Sequence, residues 1–232
     1  MTINKLADGN EYVSPEFKQF ELKYHKAITK CNKKDIQISY SNHYYSWMYT
    51  KFINEFNVKD KCVLDQGTCR SIFPYILTEL GANVQTIDVA FMEERLKMNK
   101  VFNSDIKHNK GDMRSMVMYG DETFDFITNM VAFCVVGPGD DYSGQHERAI
   151  LQEAYRTLKP GGVYFMVTDY AREKSQINLR GKSGRIYDED ELNRLIIDQA
   201  ENIGFKLYDE VDLTNRPYVV GGYTFVILCF RK

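Results

Sequence analysis

Apolar and polar positions alternate in two regimes along the chain. From Lys61 onward, short apolar runs of strand length are separated by longer stretches with helical spacing. Cys62-Val63-Leu64-Asp65, Val84-Gln85-Thr86-Ile87-Asp88, Phe124-Asp125-Phe126-Ile127-Thr128-Asn129 and Val163-Tyr164-Phe165-Met166-Val167-Thr168 read as strands. A further strand is expected near 105–110, and two more at Lys206–Val211 and Tyr223–Phe230. Between them the pattern predicts helices through Ile76-Leu77 to Leu80, over 91–100, over 146–158 and from Glu189 to Gly204. Pro74 fits the first turn of the first of these, where its missing N–H is harmless, and Gly81 ends it. Such βα alternation predicts an α/β fold, a mostly parallel sheet with helices on both faces.

The first sixty residues differ. They are polar and aromatic, with Tyr40, His43, Tyr44, Tyr45, Trp47 and Tyr49 crowded together. Trp47, Met48, Phe52, Ile53 and Phe56 fit one amphipathic helix over about 42–57. Residues 1–40 are expected to form one or two looser helices. The chain thus divides into an N-terminal helical cap or lid, 1–59, of which residues 1–45 are expected to be mobile, and an α/β domain, 60–232.

Bulk properties narrow the partners. Apolar residues make up 44%, and 30 basic against 32 acidic residues leave a net charge of -2. That balance favours no nucleic acid or anionic membrane. No apolar run reaches the length of a membrane span, and no signal-peptide core follows Met1. Five scattered cysteines without a CxxC pair fit reduced thiols, so a cytoplasmic protein without a structural zinc is expected.

In a doubly wound sheet, ligands bind beyond the carboxyl ends of the strands. After the first strand comes Asp65-Gln66-Gly67-Thr68-Cys69-Arg70-Ser71, whose Gly67 permits a tight turn and whose N–H groups suit an anion. Asp88 ends the second strand at the spacing expected for an acid that takes both ribose hydroxyls. Gly111-Asp112-Met113 follows the third strand, and Asn129 ends the fourth.

These segments, in this order, resemble the class I S-adenosylmethionine-dependent methyltransferases. Val63 to Cys69 resembles that family's D-x-G-x-G-x-G motif, and Thr86-Ile87-Asp88 resembles its second-strand acid. Gly111-Asp112-Met113 resembles its adenine-contacting segment, and Leu158-Lys159-Pro160-Gly161-Gly162 matches its LKPGG turn. The resemblance covers roughly 60–232. It implies a Rossmann-like three-layer α/β/α sandwich with a seven-stranded sheet, the last strand antiparallel. It also implies S-adenosylmethionine as cofactor, held by Asp65, Gly67, Cys69, Asp88, Asp112, Met113 and Asn129. Cys69 and Ser71 stand where the family has glycines; a side chain at 69 reaches towards the methionine portion, but cysteine is small and cofactor binding is expected to survive.

For the reaction the candidate bases are His146, which precedes the helix after the fourth strand on the cofactor side of the sheet, and Asp169, just past the fifth strand. Tyr44, Tyr45 and Trp47 are candidate substrate contacts from the cap. Arg180 and Arg185 are candidate grips on an acidic substrate, in a stretch with Arg172, Lys174 and Lys182 against Glu173 alone. No Asp/Glu/His grouping suggests a catalytic metal. The reading is a methyltransferase acting on an oxygen or nitrogen of a small, anionic molecule. The alternative is a non-catalytic relative whose altered loop has lost the cofactor.

Overall fold

The computed structural model describes residues 2–39, 43–90, 93–137, 143–172, 184–214 and 222–232. Seven strands form one sheet: β1 (Cys62–Gln66), β2 (Asn83–Asp88), β3 (Lys107–Lys110), β4 (Phe124–Met130), β5 (Leu158–Tyr170), β6 (Lys206–Leu207) and β7 (Thr224–Arg231). Their order is β3-β2-β1-β4-β5-β7-β6. The pairs from β3 to β5 are parallel, and β7 runs antiparallel to β5 and β6. The strand order reverses between β1 and β4, where Gln66 lies opposite Asn129. This is the switch point at which such sheets open a ligand crevice.

The helices are α1 (Pro15–Asn32), α2 (His43–Glu55), α3 (Phe73–Glu79), α4 (Glu93–Phe102) and α5 (Gln145–Thr157). Then α6 (Glu189–Leu192) passes through a π-helical turn (Asn193–Ile197) into α7 (Asp198–Ile203). The single helix expected from Glu189 is therefore continuous but carries a π turn in its middle. Asp188 and Glu191 close its start as a capping box. The Pro160-Gly161-Gly162 turn lies inside β5: Leu158 pairs with Phe124 and Val163 with Phe126, so the intervening residues bulge.

Two departures from expectation lie at the sheet edge. The strand expected over Lys206–Val211 is only two residues long. Residues 4–7 take up the neighbouring edge: Ile227 N–H donates to the Lys5 carbonyl (2.9 Å) and Ala7 N–H to that of Phe225 (2.8 Å). Asn4 is fully buried; its Oδ1 accepts from Cys229 N–H (2.6 Å) and its Nδ2 donates to the Asp209 carbonyl (2.7 Å). Residues 4–7 thus belong to the sheet edge.

The 18-residue α1 is also longer and better built than the loose helices expected there, with Ser14 Oγ capping the Phe17 N–H. One contiguous core runs from Ile3 through Tyr24, Trp47 and Phe52 to Phe230, so no gap in packing separates 1–59 from the rest. Stacking of Tyr49 on Phe73 (4.3 Å between centroids) fastens α2 directly to α3.

Candidate cofactor cleft

Beyond the carboxyl ends of β1 to β4 lies a cleft of about 300 Å³, lined in part by Gly67, Cys69, Asp88, Asp112, Met113 and Ala132. Its other walls are Val89, Gly111, Arg114, Val135, Val136 and Gly137. Gly67 holds φ at +68°, and a Cβ there would stand 2.1 Å from that of Ala132. Ala132 comes this close because Val131, a β-branched residue, is held at φ +66°. Backbone strain of that kind is sparse in proteins and concentrates at ligand sites.

Cys69 also adopts a left-handed conformation, φ +48°, so the loop keeps a path that suits glycine. Its thiol lies 3.2 Å from Ser39 Oγ, and its N–H donates to Asp88 Oδ2 (2.8 Å). Ser71, in the third glycine position, accepts the Phe73 N–H (3.1 Å) at the start of α3 and meets the Tyr49 hydroxyl at 2.8 Å. Both replacements are therefore worked into the loop's hydrogen bonding.

The two rim acids each carry an arginine that the sequence did not point to. Arg95 of α4 donates through Nη2 to Asp88 Oδ2 (2.8 Å) and through Nε to the Cys69 carbonyl (2.5 Å). Arg114 clasps Asp112 through Nε and Nη2 and holds its carboxyl below the ordinary carboxylate range. The Glu93-Glu94-Arg95 run looks like an exposed charged helix face, which hid Arg95; Arg114, two residues after Asp112, was the more readable of the two.

Asp65 and Asn129 are not on the cleft wall. Asp65 is 3% exposed and accepts hydrogen bonds from the Thr68 and Thr128 hydroxyls, each at 2.7 Å. Burial pushes its carboxyl up to about 6 against these two donors, which pull it down. Since the folded value is raised, ionising Asp65 opposes folding: stability falls as pH rises from about 4 to about 6 and levels off above that, by about 3 kcal/mol at most. Asp65→Asn is expected to lose this slope and to gain on the wild-type protein as pH rises, read by urea unfolding across that range. Parallel pH profiles for the two proteins contradict the assignment. Asn129 is fully buried, and its Oδ1 accepts the N–H groups of Ala132 (3.1 Å) and Phe133 (2.8 Å). It shapes the turn that presses Ala132 against Gly67.

The candidate bases and substrate residues are dispersed. His146 lies at the cleft's far wall: a Cβ on Gly137 would meet its ring at 2.2 Å, and its Nδ1 is 2.9 Å from Arg114 Nη1. A guanidinium only donates, so in this pair the Nδ1 lone pair of His146 is engaged by Arg114.

Asp169 is fully buried in β5 and accepts from the Cys134 thiol at 3.5 Å, away from the cleft. Trp47 is 1% exposed, donates to Glu11 Oε2 (2.7 Å) and stacks on Tyr12. Tyr45 packs against Tyr49, and Tyr44 against Phe225. None of these three aromatic residues lines the cleft. Arg185 is buried against Glu147, Nη1 to Oε1 2.8 Å, where the Tyr187 hydroxyl also donates (2.9 Å). The expectation that Arg185 grips substrate is thus met by a buried ion pair. Arg180 lies outside the described residues.

The cleft suits the ligand implied by the resemblance. Apolar Val89, Met113, Val135 and Val136 share its lining with the carboxylates of Asp88 and Asp112, a mix of apolar wall and a few hydrogen-bond acceptors. Gly111 has no room for a side chain, since a Cβ would fall 2.6 Å from Met118 Cε.

Residues 64–166 match the family model described as "Methyltransferase domain". No curated protein matches the chain. Among solved structures, the [4+2]-cyclase SpnF is similar at a TM-score of 0.63 and 15% identity, covering 99% of this chain and 98% of its own. The PH0226 protein from Pyrococcus horikoshii OT3 gives 0.62 at 16% identity, covering 83% of this chain and 92% of its own. A putative sarcosine dimethylglycine methyltransferase from Galdieria sulphuraria gives 0.58 at 16%, covering 83% and 86%. With the sheet order, the antiparallel β7 and the cleft at the β1/β4 reversal, the chain has the fold of the solved S-adenosylmethionine-dependent methyltransferases, and its residues 64–166 match the methyltransferase domain model.

Proposed function

We propose that the protein transfers the methyl group of S-adenosylmethionine to an oxygen or nitrogen of a small, anionic molecule in the cytoplasm, with no metal in the step. The observation that carries the transfer reading is the convergence of Gly67, Cys69, Asp88, Asp112 and Met113, brought from three loops to one cleft. The cofactor supplies a methyl carbon on a sulfonium centre. The chain's task is to hold the acceptor in line with that carbon and to keep water out. Neither His146, whose Nδ1 faces Arg114, nor buried Asp169 is poised as a base, which favours acceptors that reach the cleft already deprotonated, such as carboxylates and neutral amines.

Among the described residues no group of three His, Cys, Asp or Glu side chains is placed to hold a metal. No helix among them is long and apolar enough to cross a membrane. The anionic preference rests on Lys174, Arg180 and Lys182 in the sequence; Arg185 no longer supports it.

A panel of small carboxylates, phosphates and their neutral counterparts, incubated with methyl-labelled cofactor, tests the proposal. Label is expected on anionic members, with a KM that rises with ionic strength. A neutral acceptor with a salt-insensitive KM contradicts the anionic part. Protein that binds cofactor yet labels no member of the panel contradicts transfer to such acceptors.

A further inference from the structure

The Asp88 carboxylate offers four lone-pair sites. Three are already filled. Oδ2 accepts the Cys69 N–H (2.8 Å) and Arg95 Nη2 (2.8 Å), and Oδ1 accepts the Ala90 N–H (3.0 Å). One site remains, on Oδ1. The expectation that Asp88 takes both hydroxyls of a ribose does not fit this count.

The arrangement is fixed by Arg95. Its side chain is 1% exposed, so it does not swing out to free Oδ2. Its Nε holds the Cys69 carbonyl while Nη2 holds Asp88, a two-point fork that a lysine ammonium cannot reproduce. The same guanidinium therefore sets both the rotamer of the rim acid and the left-handed peptide at position 69. Its own backbone is steadied in turn: the Tyr75 hydroxyl donates to the Arg95 carbonyl at 3.0 Å. Nη1 is buried and has no acceptor among the described residues, so the guanidinium is committed on the face it turns to Asp88 and Cys69.

We propose that Arg95 is a positioning residue that makes Asp88 a reader of one ribose hydroxyl, leaving the other unread by this acid. The inference rests on the cleft being the S-adenosylmethionine site. It has a consequence for specificity: ligands altered at the unread hydroxyl keep their affinity, and those altered at the read hydroxyl do not.

Calorimetric titration of the wild-type protein with S-adenosylhomocysteine and its 2′-deoxy and 3′-deoxy analogues tests this. One deletion is expected to weaken binding about tenfold or more, the worth of a hydrogen bond to a charged group, and the other by less than about threefold. Two losses of about tenfold overturn the proposal, as do two losses below about threefold. In Arg95→Lys, checked for folding by thermal denaturation, the ammonium cannot hold the Cys69 carbonyl and Asp88 together, so Asp88 loses its fixed rotamer and the two penalties are expected to converge while parent affinity falls. Penalties that stay as unequal as in the wild-type protein overturn the role of Arg95. Should Arg95→Lys not fold, the wild-type analogue pair decides alone. A wild-type protein that binds none of the three ligands contradicts the cofactor reading itself, a separate outcome from unequal or equal penalties.

Discussion

Arg185→Ala is expected to lower the free energy of unfolding by about 3–5 kcal/mol, because it strands a buried carboxylate. Arg185 and Glu147 side chains are only 5% and 6% exposed, and Arg185 Nη1 lies 2.8 Å from Glu147 Oε1. The Tyr187 hydroxyl, also on Oε1, keeps one hydrogen bond, which places the loss toward the lower end of that range. The double variant Arg185→Met/Glu147→Gln removes both charges and is expected to recover much of the loss, since a buried ion pair replaced as a unit costs little. Urea unfolding of the three proteins measures the coupling. A stable Arg185→Ala whose only defect is a raised KM for the acceptor would return Arg185 to the substrate-gripping role expected from its place in a basic stretch.

Asp88→Ala is the second large effect, and it acts twice. It leaves Arg95, 1% exposed, without its counter-ion, and it removes the acceptor of the Cys69 N–H. A loss of about 3 kcal/mol or more in stability is expected from the stranded guanidinium alone. Cofactor affinity read from this variant therefore mixes two causes. Asp88→Asn also removes the charge but keeps the shape and one acceptor oxygen for Arg95 and the Cys69 N–H, so it disturbs the loop less, and it is expected to weaken S-adenosylhomocysteine about tenfold. An unchanged unfolding midpoint for Asp88→Ala would show that the Arg95 pair holds nothing. Unchanged product affinity in Asp88→Asn would move the ribose elsewhere.

The parallel half of the sheet was legible because each strand announces itself locally. Val63-Leu64 and Phe124-Asp125-Phe126-Ile127 are short apolar runs closed by polar residues, and Asp88 ends its strand as the pattern indicates. The cleft followed from the same logic, since Gly67, Asp88 and Asp112 each stand at or just past the end of a strand. What escaped was whatever depends on distant partners. Asn4 meets Cys229 across 225 positions, with no periodicity to signal that residues 4–7 would occupy the β7 edge.

Charge misled in a related way. Composition shows that Arg185 is cationic but not that Glu147, 38 residues earlier, will be buried beside it. The aromatic group around Tyr44 to Tyr49 offered Tyr44, Tyr45 and Trp47 as candidate substrate contacts for the same reason. Its rings are taken up by Glu11, Tyr12, Phe73 and Phe225, none of them visible from spacing.

The reading of the cleft as a cofactor site stands or falls on one titration. Calorimetry of the folded wild-type protein with S-adenosylhomocysteine, without added metal, is expected to give one saturable site with a dissociation constant well below about a millimolar, corresponding to more than about 4 kcal/mol of binding free energy. No heat and no shift in melting temperature at millimolar ligand would contradict it.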